Sequence, residues 1–157
     1  MARLKKVADE EGLPLGVREK TYNSRLAQEL GKWAESRGKG EEFHAAAFRA
    51  YFADNSNIAK IPELLDLAEA VGLPVREAQR VLETRAFREA VDSDWSRSRD
   101  KGVTMVPTFM LNKTPVVGAQ PYEVLEKFMD ANNVKKREPD SWNGRRKPDK
   151  ELNHGST

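Results

Sequence analysis

The sequence predicts an α/β chain: a largely helical body, then a β-hairpin, then a last helix. Three observations carry that prediction. Apolar residues recur at three- and four-residue intervals from the start of the chain to about Asp100. At Val103 the pattern changes to β-type residues, interrupted by Pro107 and followed by the turn-forming Asn112-Lys113-Thr114. Charged residues make up 33% of the 157 residues against 38% hydrophobic, a balance that suits helices with broad solvated faces.

Each element has its own signal. Arg3 to Glu11 reads as a helix, broken by Gly12-Leu13-Pro14-Leu15-Gly16. Asn23 is placed to cap the next helix, where Leu26, Leu30 and Trp33 share one face and Gly38 marks the stop. A third helix from Glu41 to Ala53 carries Phe43, Ala47, Phe48, Tyr51 and Phe52 on a face that helical spacing assigns to the core. Pro62 suits the first position of a fourth helix with Leu64, Leu65, Leu67, Ala68 and Val71, ending at Gly72. Val75 to Glu83 forms a fifth. Thr84 is placed to cap a sixth, running to Asp100 with Phe87, Ala90, Val91 and Trp95 inward and Gly102 as its end. Val103–Val106 and Thr108–Leu111 read as strand on either side of Pro107, and Pro115–Gly118 as the return strand. Pro121 opens the last helix, with Val124, Leu125 and Phe128 inward. Residues 1–133 thus form one domain, and 134–157 a disordered basic tail of +3 net charge, which leaves −1 for the rest.

Composition excludes several chemistries. The chain has no cysteine, so it offers no disulfide, no thiolate nucleophile and no cysteine metal site. Its two histidines, His44 and His154, lack paired spacing, so no metal and no cofactor is expected. His44 reads as a structural or surface residue, and Trp33 and Trp95 as core or half-buried ones. No apolar run approaches the roughly 18 residues of a membrane span. The N-terminus has a basic start without an apolar stretch, and a cytoplasmic location is the resulting expectation. Lys135-Lys136-Arg137 and Arg145-Arg146-Lys147 flank Trp142, but interspersed acids make a solvated tail a better reading than a nucleic-acid site.

The most informative segment is Gly102-Val103-Thr104-Met105-Val106-Pro107-Thr108-Phe109-Met110-Leu111. A proline inside an apolar strand removes a ladder donor. It is accommodated either as a trans residue on an edge strand or at a strand start after a tight, sometimes cis, bend. The Val-Pro-Thr-Phe sequence opening a hairpin after a helix ending in Gly-Val-Thr resembles the cis-proline segment of thioredoxin-like proteins. Tyr22-Asn23-Ser24-Arg25-Leu26-Ala27-Gln28-Glu29-Leu30, Phe48-Arg49-Ala50-Tyr51-Phe52, Leu64-Leu65 with Gly72-Leu73, and Gly118-Ala119-Gln120-Pro121 resemble, in order, segments of the DsbA family, in particular its cytoplasmic FrnE-like branch. These matches span about residues 3–131.

The resemblance implies a thioredoxin-like α/β fold of the DsbA type, present here incompletely. Its first strand, Cys-x-x-Cys turn, first helix and second strand have no counterpart, so the chain is expected to be N-terminally truncated. It implies thiol–disulfide oxidoreductase activity for the family and redox inactivity for this chain, which has no catalytic residue of that kind. The partner implied is an extended peptide or protein substrate. By position Val106 would present backbone to it and Pro107 would be the cis residue, with Met105 and Thr108 beside them. Met105 stands where FrnE-like sequences commonly have Gly, and core packing is its simplest role. A non-catalytic peptide-binding module and an isomerase or glutathione-transferase-like relative are the alternatives. An open strand edge is expected to favour self-association.

Overall fold

A computed structural model describes residues 2–17 and 20–136. It divides into two compact units, residues 1–102 and 103–157. Among the described residues the order is α1 (Ala2–Glu10), α2 (Arg25–Ser36), α3 (Gly40–Phe52), α4 (Ile61–Ala70), α5 (Val75–Thr84), α6 (Arg88–Asp100), β1 (Thr108–Leu111), β2 (Thr114–Val117) and α7 (Tyr122–Ala131). The expected disorder from residue 137 onward falls outside the described residues.

The first unit is a helical assembly whose core lies between α2, α3, α4 and α5. Leu30, Ala34, Phe43, Leu64, Ala68 and Ala78 are fully buried there. The spacing of Leu26, Leu30 and Trp33 puts one stripe of α2 into that core, as the periodicity requires. Gly31 allows α3 to come close: a Cβ at this position would lie 2.8 Å from His44 Nε2. Helix ends follow their local chemistry. Gly38, Gly72 and Gly102 take positive φ of 70°, 76° and 70° just past α2, α4 and α6. Pro62 lies in the first turn of α4, where its missing N–H costs nothing.

Several expectations fail, each for a physical reason. Asn23 precedes the cap position rather than occupying it, and its Oδ1 accepts the Arg25 N–H at 2.8 Å. Thr84 does not cap α6. It ends α5, its hydroxyl donating back to the Arg80 carbonyl at 2.8 Å, and Arg85 then turns the chain in the left-handed region at φ 55°. Phe48 and Phe52 are exposed rather than core, because the core takes only Phe43, Ala47 and Tyr51 from that face of α3. Of the α6 residues expected inward, Ala90 and Trp95 are exposed and Val91 is buried. Trp95 lies under the Arg25 guanidinium, 4.8 Å from its centroid, and donates its indole N–H to Gln28 at 2.8 Å.

The second unit is a hairpin followed by α7. β1 and β2 are antiparallel, with Thr108 opposite Val117 and Leu111 opposite Thr114. Val103–Val106 is not strand, because the ladder begins only after Pro107. Thr114 belongs to β2, so the turn is the two residues Asn112 and Lys113, both at positive φ of 48° and 68°. That is the type I′ geometry, whose twist matches paired strands. Lys113 occupies a position that glycine tolerates better. Lys113→Gly should therefore slow amide exchange at Leu111 and Thr114 about fivefold, corresponding to about 1 kcal/mol. Unchanged exchange would contradict the strain assigned to Lys113. No residue of α7 is buried, and Val124, expected inward, is exposed.

Candidate functional site

The proline segment is held by bonds on both sides of a protruding residue. The Val106–Pro107 peptide bond is cis. Across it, the Thr108 hydroxyl donates to the Met105 carbonyl at 2.6 Å, closing a short loop. One step beyond the strands, the Gly118 N–H donates to the Pro107 carbonyl at 2.8 Å and ties the proline to the return strand. Val106 is left 87% exposed, with Met105 beside it at 62%. Core packing, the simplest role for Met105, is therefore corrected: the side chain is on the surface. Residues 102–112 carry no charge, so the exposed strip presents apolar side chains, backbone polar groups and the neutral side chains of Thr104 and Asn112. Of the four sequence-predicted residues, Met105, Val106 and Pro107 are exposed and Thr108 is half-buried.

Behind the hairpin, Phe109, Met110, Leu111, Leu125, Phe128 and Met129 line an apolar cavity of about 290 Å³. In the helical unit a separate open cavity of about 460 Å³ runs along α3. Its walls include Tyr22, Phe43, Phe48, Tyr51, Phe52 and Ile58, with Gln28 and His44 at the polar side. The aromatic run that helical spacing assigned to the core thus lines a groove for most of its length. His44 is half exposed, with Nε2 3.7 Å from Glu35 Oε1.

One cluster escaped sequence reasoning. Glu29 is fully buried on α2. Its carboxylate accepts two bonds from Arg85, both 2.7 Å, and one from Arg25 Nε at 2.8 Å. Arg25 also reaches Asp92 at 2.7 Å and the Arg88 carbonyl at 2.9 Å. The Arg85 bonds, aided by Arg25, hold the Glu29 carboxyl below the usual carboxylate range against the opposing effect of burial. Arg25 and Glu29 stand four apart, a spacing legible as a helix pair. Nothing local marks Arg85 as the third member. With every charge paired, this cluster is a structural clamp joining α2 to the α5–α6 turn.

The chemistry available is limited. The chain has no thiol. Among the described residues no group of three His, Cys, Asp or Glu side chains is placed to hold a metal ion, and no helix is long and apolar enough to cross a membrane.

Comparison with known proteins places this arrangement. Residues 1–130 match the model of the DSBA-like thioredoxin domain. The uncharacterized protein YwbO of Bacillus subtilis (strain 168) is 33% identical over 112 residues, which are 71% of this chain and 56% of YwbO. The crystal structure of probable DsbA oxidoreductase SCO1869 from Streptomyces coelicolor superposes with a TM-score of 0.75 at 28% identity. That superposition covers 87% of this chain and 60% of the solved one. The chain therefore spans a little over half the length of the relatives it matches. With residues 1–130 matched, the chain belongs to the DSBA-like thioredoxin domain family.

Proposed function

We propose that these residues form the peptide-presenting side of a DsbA-like thiol–disulfide oxidoreductase and perform no disulfide exchange by themselves. The observation that carries the reading is Val106. It projects from a segment pinned on both sides, with its backbone open to an added extended chain. Met105, Pro107 and Thr108 frame that position, and its neutrality suits recognition of backbone rather than of a charged side chain. Exchange itself requires a thiolate attacking a disulfide sulfur through a mixed disulfide. No residue here supplies that sulfur, so cysteines outside these residues would have to.

Two measurements on the purified chain test the reading. It should fail to reduce insulin disulfides in the presence of dithiothreitol above the background of the reductant. It should nevertheless bind an unstructured, uncharged peptide. Val106→Pro removes one backbone donor and should weaken that binding about fivefold, the equivalent of about 1 kcal/mol. Catalysed insulin reduction would overturn the first half of the proposal, and peptide affinity indifferent to Val106→Pro would overturn the second.

A further inference from the structure

The residues before the cis bond divide their work between backbone and side chain. Val106 offers backbone: neither its N–H nor its carbonyl has a partner among the described residues. Met105 differs. Its carbonyl already accepts the Thr108 hydroxyl at 2.6 Å, while the residue stays 62% exposed, so what it presents is a side chain. That side chain is an unbranched thioether with three rotatable bonds. It lies along whatever covers it, and its polarizable sulfur gains most against an aromatic ring. Val106, beside it, is β-branched and stiff about χ1, so it does not follow a neighbour in this way. A charged group has nothing to gain at the same place. Residues 102–112 carry no charge, and an ion covered there would lose hydration without an opposite charge in return.

We propose that Met105 is the specificity-determining residue of this site, and that it selects peptides with an aromatic side chain next to the residue paired with Val106. The inference rests on the reading of Val106 as the residue that pairs with an extended chain. Backbone pairing alone accepts almost any sequence, so discrimination must come from a side chain. In an extended peptide successive side chains point to opposite faces. The residue paired with Val106 and its neighbour therefore diverge, and the neighbour comes across from Met105. Directly opposed residues in regular pairing have Cβ atoms about 4.5–5.5 Å apart. That separation suits a thioether sulfur placed about 5 Å from a ring. Covering Met105 also removes apolar surface of both partners from water. The favoured partner is thus an extended, locally uncharged segment that carries an aromatic residue. Such residues are mostly buried in folded proteins, so the partner class is an unfolded or partly folded chain.

The test uses the full chain and two short uncharged peptides, identical except for Phe or Ser at one central position. Each carries a fluorescent label, and binding is followed by anisotropy. The wild type should bind the Phe peptide about fivefold more tightly, within the range of a sulfur–aromatic contact. Met105→Gln keeps the length of the side chain but makes it polar, and should abolish the preference by weakening the Phe peptide. Met105→Leu keeps an apolar side chain without sulfur, and should leave a preference of about twofold. Met105 is a surface residue, so neither change touches the buried core. Equal wild-type affinity for the two peptides would overturn this inference and leave the reading of Val106 standing. So would a preference that survives Met105→Gln undiminished. Binding of neither peptide would overturn the reading of Val106, and this inference with it.

Discussion

Glu29→Ala should destabilise the helical unit by about 3 kcal/mol, the lower end of what removing one partner of a buried ion pair costs. The lower end applies because the stranded partners are not trapped. Arg85 is partly exposed and can turn to solvent, and Arg25 retains Asp92 and the Arg88 carbonyl. Arg85→Ala should cost at least as much, because it leaves the buried Glu29 carboxylate with Oε2 unpaired and only the Arg25 bond on Oε1. The pH dependence follows from the depressed folded-state pKa of Glu29. In the unfolded chain the carboxyl returns to about 4.3. Above that value Glu29 is ionised in both states, and its contribution is fully present. As pH falls toward and through the lower folded-state value, the unfolded chain takes up the proton first and the contribution is lost. Urea unfolding of wild type and Glu29→Gln at neutral and acidic pH checks this: the stability gap should narrow below about pH 4. A gap that stays constant or widens on acidification would contradict the clamp.

Phe43→Ala and Phe48→Ala should differ sharply although both residues lie on α3. Phe43 is fully buried between α2 and α3, and its truncation should cost about 3–5 kcal/mol, combining lost transfer energy with an unfilled cavity. Phe48 is 65% exposed, and the same change should fall within about 0.5 kcal/mol. Thermal unfolding of the two variants compares them directly. Equal losses would mean that α3 turns a different face to the core.

These two residues also show what the sequence could reveal. Apolar spacing located every helix of the first unit to within a few residues, because each must bury one stripe against another. Spacing does not reveal how wide that stripe is. Phe43 and Phe48 belong to one periodic pattern, yet packing against α2 and α4 uses only the first. The failure at Thr84 is of another kind. Threonine is a good cap in principle, but its hydroxyl found the Arg80 carbonyl one turn back, and Arg85 took a left-handed conformation that no local rule assigns to arginine. Arg85 is held there by Glu29, 56 residues earlier, a partner visible only in the folded chain.

The site divides along the same line. Val-Pro-Thr-Phe and its flanking segments were legible as a family resemblance, and matching residues 1–130 to the DSBA-like thioredoxin domain bears that family out. The surface character of Met105 was not legible, since an apolar residue beside a strand ordinarily reads as core. The break of β structure before Pro107 was also hidden, because Val103, Thr104 and Val106 are all strand-favouring residues.

The central claim is that the segment around Val106 receives an extended peptide although the chain has no thiol. The most direct measurement is a titration of isotope-labelled protein with an unstructured peptide, followed by amide chemical shifts. The account predicts saturable shifts centred on Met105 and Val106. Shifts confined to the aromatic groove at Phe48, Tyr51 and Phe52, or none at saturating peptide, would contradict it.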